Sequence, residues 1–180
     1  MYDLHSILIQ LKKEDTPLHG VMVRCVRCFY QWLDPTLWEG SALFELWAQE
    51  LELIYGDLRQ RLSPNAKTDA GSLGDRFGFD TPPELPRLLQ SIQTFYSVLI
   101  KLIAWNTLRG ATPEPPLTEL LSGRAFVNRG IRNFCGDDWY IWPLDIWDPA
   151  LETQCEELRA CLKSCLLYTS DAADDMQCVD

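Results

Sequence analysis

Apolar residues recur three and four positions apart along most of this chain, the spacing of helices that bury one face. Leu4, Ile7, Leu8 and Leu11 predict a short helix over residues 2–14, stopped by Lys12-Lys13-Glu14-Asp15 and Pro17. Val21, Cys25, Cys28, Phe29 and Trp32 predict a second over 18–33, ended by Asp34-Pro35. Leu37, Phe44, Trp47, Leu51, Ile54, Tyr55 and Leu58 predict a third over 36–61, with Gly56 as a break. Residues 63–83, rich in Gly, Pro and turn formers, predict a long loop. Leu88, Ile92, Phe95, Tyr96, Leu99, Leu102, Ile103 and Trp105 form a broad apolar band, which predicts a helix over 84–109 buried on most sides and closed by Gly110. Thr112-Pro-Glu-Pro-Pro116 predicts an extended link into a short helix at 117–121. Residues 122–147 are aromatic and Gly-punctuated without a clean period. Asp148 as N-cap with Pro149 in the first turn then opens a last helix, whose stripe is Leu151, Cys155, Leu158 and Leu162.

The expected fold is therefore mainly α: an irregular multi-helix bundle with long loops, in which 122–147 is the one candidate for a minor β-hairpin. With 180 residues, 47 % of them hydrophobic, the chain suits one domain with a sizeable core. No run approaches the roughly 20 uncharged apolar residues of a membrane span, and the N-terminus lacks the basic start of a signal peptide. A cytoplasmic protein without a membrane partner is expected.

The final residues differ from the rest. Residues 165–180, CLLYTSDAADDMQCVD, carry four Asp and no basic residue, and no helical periodicity continues into them. CLLYTSDAADD resembles the in-frame translation of a sequencing-library adapter, so 165–180 is read as a non-native tail and 1–164 as the natural segment, cut near Ser164. The whole chain has a formal charge of -10; removing the four Asp leaves 16 basic against 22 acidic residues, or -6. Such a balance does not suggest a stand-alone nucleic-acid clamp, though it permits DNA contacts in a longer chain.

Few constellations promise chemistry. Cys25-x-x-Cys28 lacks the second half of a zinc site, and on an apolar helix it places two small hydrophobes on one face. His5 and His19 stand apart from any Cys/His cluster. Asp137-Asp138 could supply an acid/base pair, or simply a turn and a cap. Trp139, Tyr140, Trp142 and Trp147 could stack on bases or join the loop to the core. Phosphate loops, nucleophile elbows and His-Glu-x-x-His are missing from the sequence.

Three blocks, in order, carry a resemblance. Ile92-Gln-Thr-Phe-Tyr-Ser-Val-Leu-Ile-Lys-Leu-Ile-Ala104 resembles the hydrophobic helix that precedes the catalytic domain in large adenine-specific DNA methyltransferases, including fused restriction-modification enzymes. Phe126-x-x-x-Gly130-Ile131-x-Asn133-Phe134 leading to Trp142-x-Leu144 resembles the stretch that follows it there, and Trp47 to Tyr55-Gly56 suits the helix before it. The blocks span about residues 44–164. Pro143, where the family has Tyr, and Gly136-Asp137-Asp138, in place of Glu-Gly-Asp, depart from its pattern.

The resemblance implies a parent enzyme that moves a methyl group from S-adenosylmethionine to the adenine amino group of DNA. That chemistry takes a glycine turn after a strand to admit the cofactor, and an Asn/Asp-Pro-Pro-Tyr/Phe loop to hold a flipped-out base. Thr81-Pro82-Pro83-Glu84 and Pro115-Pro116-Leu117 share only the prolines. The chain is thus expected to be inactive alone: the helical lead-in to a missing C-terminal catalytic domain, binding no cofactor, with Lys101, Arg124, Arg129 and Arg132 as candidate DNA contacts. Lys101 could instead snorkel from a buried helix. The alternative on the residues alone is a non-enzymatic helical interaction or scaffold domain. Severed from its partners, the 84–109 helix is expected to expose an apolar patch.

Overall fold

The computed structural model describes residues 4–33, 46, 47, 49, 50, 66–108, 110, 112–135 and 140–175. These are mainly helical: α1 (Leu4–Lys12), α2 (Pro17–Trp32), α3 (Ala66–Arg76), α4 (Leu85–Leu108), α5 (Leu117–Leu121), α6 (Arg124–Val127), a 3-10 turn at Trp142–Leu144, and α7 (Pro149–Asp175). Among the described residues there is no strand, so the hairpin considered for 122–147 does not form in its described part, where α6 and the 3-10 turn stand instead. The expected 36–61 helix and Asp137-Asp138 lie mostly or wholly outside the described residues; 46, 47, 49 and 50 are helical.

The centre of the fold is α2 packed against both α4 and α7. Each helix supplies a stripe at three- and four-residue spacing: Leu18, Val21, Cys25 and Phe29 from α2, Phe95, Leu99 and Leu102 from α4, and Leu151, Cys155, Leu158 and Leu162 from α7, all buried. Thr16 caps α2 by accepting from the His19 backbone N–H at 3.2 Å, and Pro17 occupies the first turn, where its missing N–H removes nothing. Asp148 caps α7 in the same way, its Oδ1 accepting from the Leu151 N–H at 2.8 Å.

Residues 63–83 correct the expected loop, because 66–76 form α3. Its glycines read as breakers, yet Gly74 is where the fold needs no side chain. A Cβ there would lie 2.6 Å from the Cδ of Pro83, which leads into α4. Packing has overridden the weak local propensity. The helix ends in a Schellman motif: Gly78, at φ 66°, donates to Asp75 O, and Phe79 N–H reaches back to Gly74 O at 3.1 Å.

The backbone of the last helix runs through Asp175, past the residues that carry its apolar stripe. Propagating an established helix adds a hydrogen bond for each residue fixed, so a stretch without an apolar stripe can continue one that packing began.

By length and composition α4 is apolar enough to cross a membrane, with a mean hydropathy of 1.2 over 18 residues. It is not an uncharged run, since Arg87 and Lys101 lie within it. The helix carries its apolar residues as a core element does, and four polar ones, Gln90, Ser91, Thr94 and Lys101, are buried with them. Tyr96 and Ile100 are 42 % and 54 % exposed on its outer side, with Leu108 at 38 % and Val127 of α6 at 42 %.

Candidate nucleic-acid interface

The four basic residues expected to meet DNA fall into two groups. Lys101 is only 3 % exposed, and its Nζ donates to the Leu121 carbonyl at 2.8 Å, at the end of α5. Arg129 donates to the Leu108 carbonyl, the last residue of α4, and to Thr112 Oγ1, while its guanidinium lies over the Trp105 ring, 5.2 Å from the centroid. Both cations therefore satisfy helix C-termini, where unpaired carbonyls concentrate partial negative charge. Lys101 does not present its ammonium to solvent, which replaces the expected surface contact with a core role.

Two more arginines do similar work. Arg87 Nε donates to Tyr30 O at 2.7 Å near the end of α2, with its guanidinium 4.1 Å from the Tyr30 ring centroid. Arg27 donates to Gly78 O at 2.9 Å, just past α3. Sequence reading missed these staples because the partner carbonyls lie 20 to 57 residues away.

Arg124 and Arg132 form the other group; both are exposed, as is Arg129 despite its bonds. These two flank a hydrogen-bonded corner. Gly123, at φ 80°, precedes α6, and Gly130, at φ 77°, follows it. Gly130 N–H donates to Val127 O at 2.9 Å and Ile131 N–H to Phe126 O at 3.2 Å, a second Schellman motif. The spacing Phe126-x-x-x-Gly130-Ile131 is thus a helix stop whose apolar ends face inward: Phe126 is fully buried, and Ile131 packs against the core.

The aromatic residues join this corner to α4. Trp105 meets Phe126 edge-on at 5.8 Å, and Phe126 meets Phe134 at 4.6 Å. Trp142 is fully buried; its Nε1 donates to Thr94 Oγ1 at 2.9 Å, and its ring meets Phe29 edge-on at 5.9 Å. Tyr140 Oη donates to Gln93 Oε1 at 2.7 Å, and Trp47 Nε1 approaches the same oxygen at 3.3 Å. Trp147 is half-buried against the core. Of the two readings open for these rings, joining loop to core describes Trp142; stacking on a base would require it to leave the interior.

Two cysteines are core residues. Cys25 and Cys155 are 1 % and 0 % exposed, and Cys28 is half-buried on the same side of α2. Burial, then the neighbouring Cys155 and Cys28, pushes the Cys25 thiol well above its ordinary range. Burial, then Asp148, pushes Cys28 up to about 11. Burial, then Cys28, pushes Cys155 up to about 12. Among the described residues, no three His, Cys, Asp or Glu side chains gather as a metal site. His19 Nδ1 faces Leu11 O at 2.8 Å, a local tie between α1 and α2, and His5 is exposed on α1.

These thiols should make stability depend on pH. In the unfolded chain they release protons near pH 9, whereas folded Cys155 holds its proton to about 12. Above pH 9 the folded state binds more protons than the unfolded one, so stability falls as pH rises, at about 1.4 kcal/mol per pH unit for each fully shifted thiol. Stability is unaffected by these groups below that range. Alkylation mapped by mass spectrometry at pH 8 should label the intermediate-exposure Cys135 and Cys161 well before Cys25 and Cys155; early labelling of Cys155 would contradict the packing described.

The described residues do not fit S-adenosylmethionine. No strand precedes a glycine turn among them, Pro83 is packed on Gly74, and the Glu84 N–H following it donates to Tyr30 Oη at 3.0 Å. Pro115-Pro116 leads directly into α5. No step of methyl transfer is therefore assigned to these side chains. Comparison with protein-family models, with curated proteins and with solved structures returned no match for the chain.

Proposed function

We propose that this chain is the helical lead-in of an adenine-specific DNA methyltransferase, inactive alone, whose methyl donor S-adenosylmethionine is held by a catalytic domain outside it. The observation that carries the reading is the meeting of its resemblance-bearing blocks. Thr94 and Trp105, in and just after the first, bond or pack directly with Trp142 and Phe126 of the second. Segments alike in order to those of the family thus build one core together. The exposed Tyr96 and Ile100, one turn apart on α4, are apolar surface that the proposed catalytic domain would cover. In this reading the protein works in the cytoplasm on DNA.

Arg124 and Arg132 are the phosphate contacts in this proposal, and Arg129 holds the corner that carries them. DNA affinity of the full-length parent, measured across a salt series, tests this. Replacing Arg124 and Arg132 with Ala should flatten the dependence of log affinity on log salt by about 0.9 for each phosphate that the protein no longer neutralises. Lys101→Met should leave that slope unaltered. An unchanged slope in the double variant would remove both arginines from the interface.

The rival reading, a helical interaction domain, draws support from the exposed Leu4, Leu8 and Ile9 on α1, which are 57 %, 52 % and 50 % exposed. It requires no DNA affinity. Salt-dependent binding that falls with the arginine variants would decide against it.

A further inference from the structure

We draw no further inference here: the strongest candidate, the open cleft of about 580 Å³ between the start of α2 and residues 157–164 of α7, where Arg24 and Glu157 pair at 2.8 Å beside Cys161, carries nothing because nothing in the structure shows what would occupy it.

Discussion

Gly123→Ala should unfold or severely weaken the protein, with a loss of about 3 kcal/mol or more. Two costs combine. At φ 80° an L side chain is strained by roughly 1–2 kcal/mol, and the added Cβ would overlap the Phe134 carbonyl, whose backbone cannot swing aside as a flexible side chain could. Overpacking of this kind costs about 1–3 kcal/mol. Gly110→Ala is the internal control: its φ is 55°, but a Cβ there meets nothing within 4 Å, so the strain alone should appear, about 1–2 kcal/mol. Urea unfolding reads both as shifts in midpoint at constant slope. Equal losses in the two variants would mean that residue 123 and the Phe134 backbone are not in contact.

Trp142→Ala should cost about 3–5 kcal/mol, the range for removing a large buried aromatic. That is a large share of the roughly 5–15 kcal/mol that stabilises a typical domain. The ring is fully buried, meets Phe29, and spends its one N–H on Thr94. Thr94→Val separates the polar part from the packing part. It keeps the volume but strands a buried indole N–H, at about 1–3 kcal/mol. Adding Trp142→Phe to Thr94→Val should cost less than the two singles added together, because the orphaned donor is gone. Strict additivity would show that the two side chains do not interact.

The helices that were legible beforehand share an apolar spacing that runs unbroken, as in the Leu151, Cys155, Leu158 and Leu162 stripe. Asp148-Pro149 also announced the start of α7, whereas the Thr16 cap of α2 was not read from the sequence. α3 was hidden because Gly71 and Gly74 weigh against a helix locally, while the reason for Gly74 is Pro83, nine residues on. No C-terminal bound for α7 was legible, because propagation through Asp175 needs no apolar stripe. The candidate interface was legible in part. That Arg124, Arg129 and Arg132 cluster in one aromatic, Gly-punctuated stretch follows from the sequence, but that this stretch turns a corner, and which of its cations bonds a helix end, depends on where helix ends fall in space. Arg129 and Lys101 are drawn to the carbonyls of Leu108 and Leu121, and no local pattern announces that. Gln93 as the common partner of Trp47 and Tyr140 was equally invisible, since the rings approach it from positions 46 and 47 residues away on opposite sides.

The proposal rests on a catalytic domain following this helical region, and the reading frame of the source locus, sequenced onward from the codon for Ser164, tests it most directly. The account predicts open coding sequence that reaches a glycine turn after a strand and then an Asn/Asp-Pro-Pro-Tyr/Phe loop. A stop codon at that point, or a downstream sequence with neither feature, would contradict it and leave the helical interaction domain as the reading.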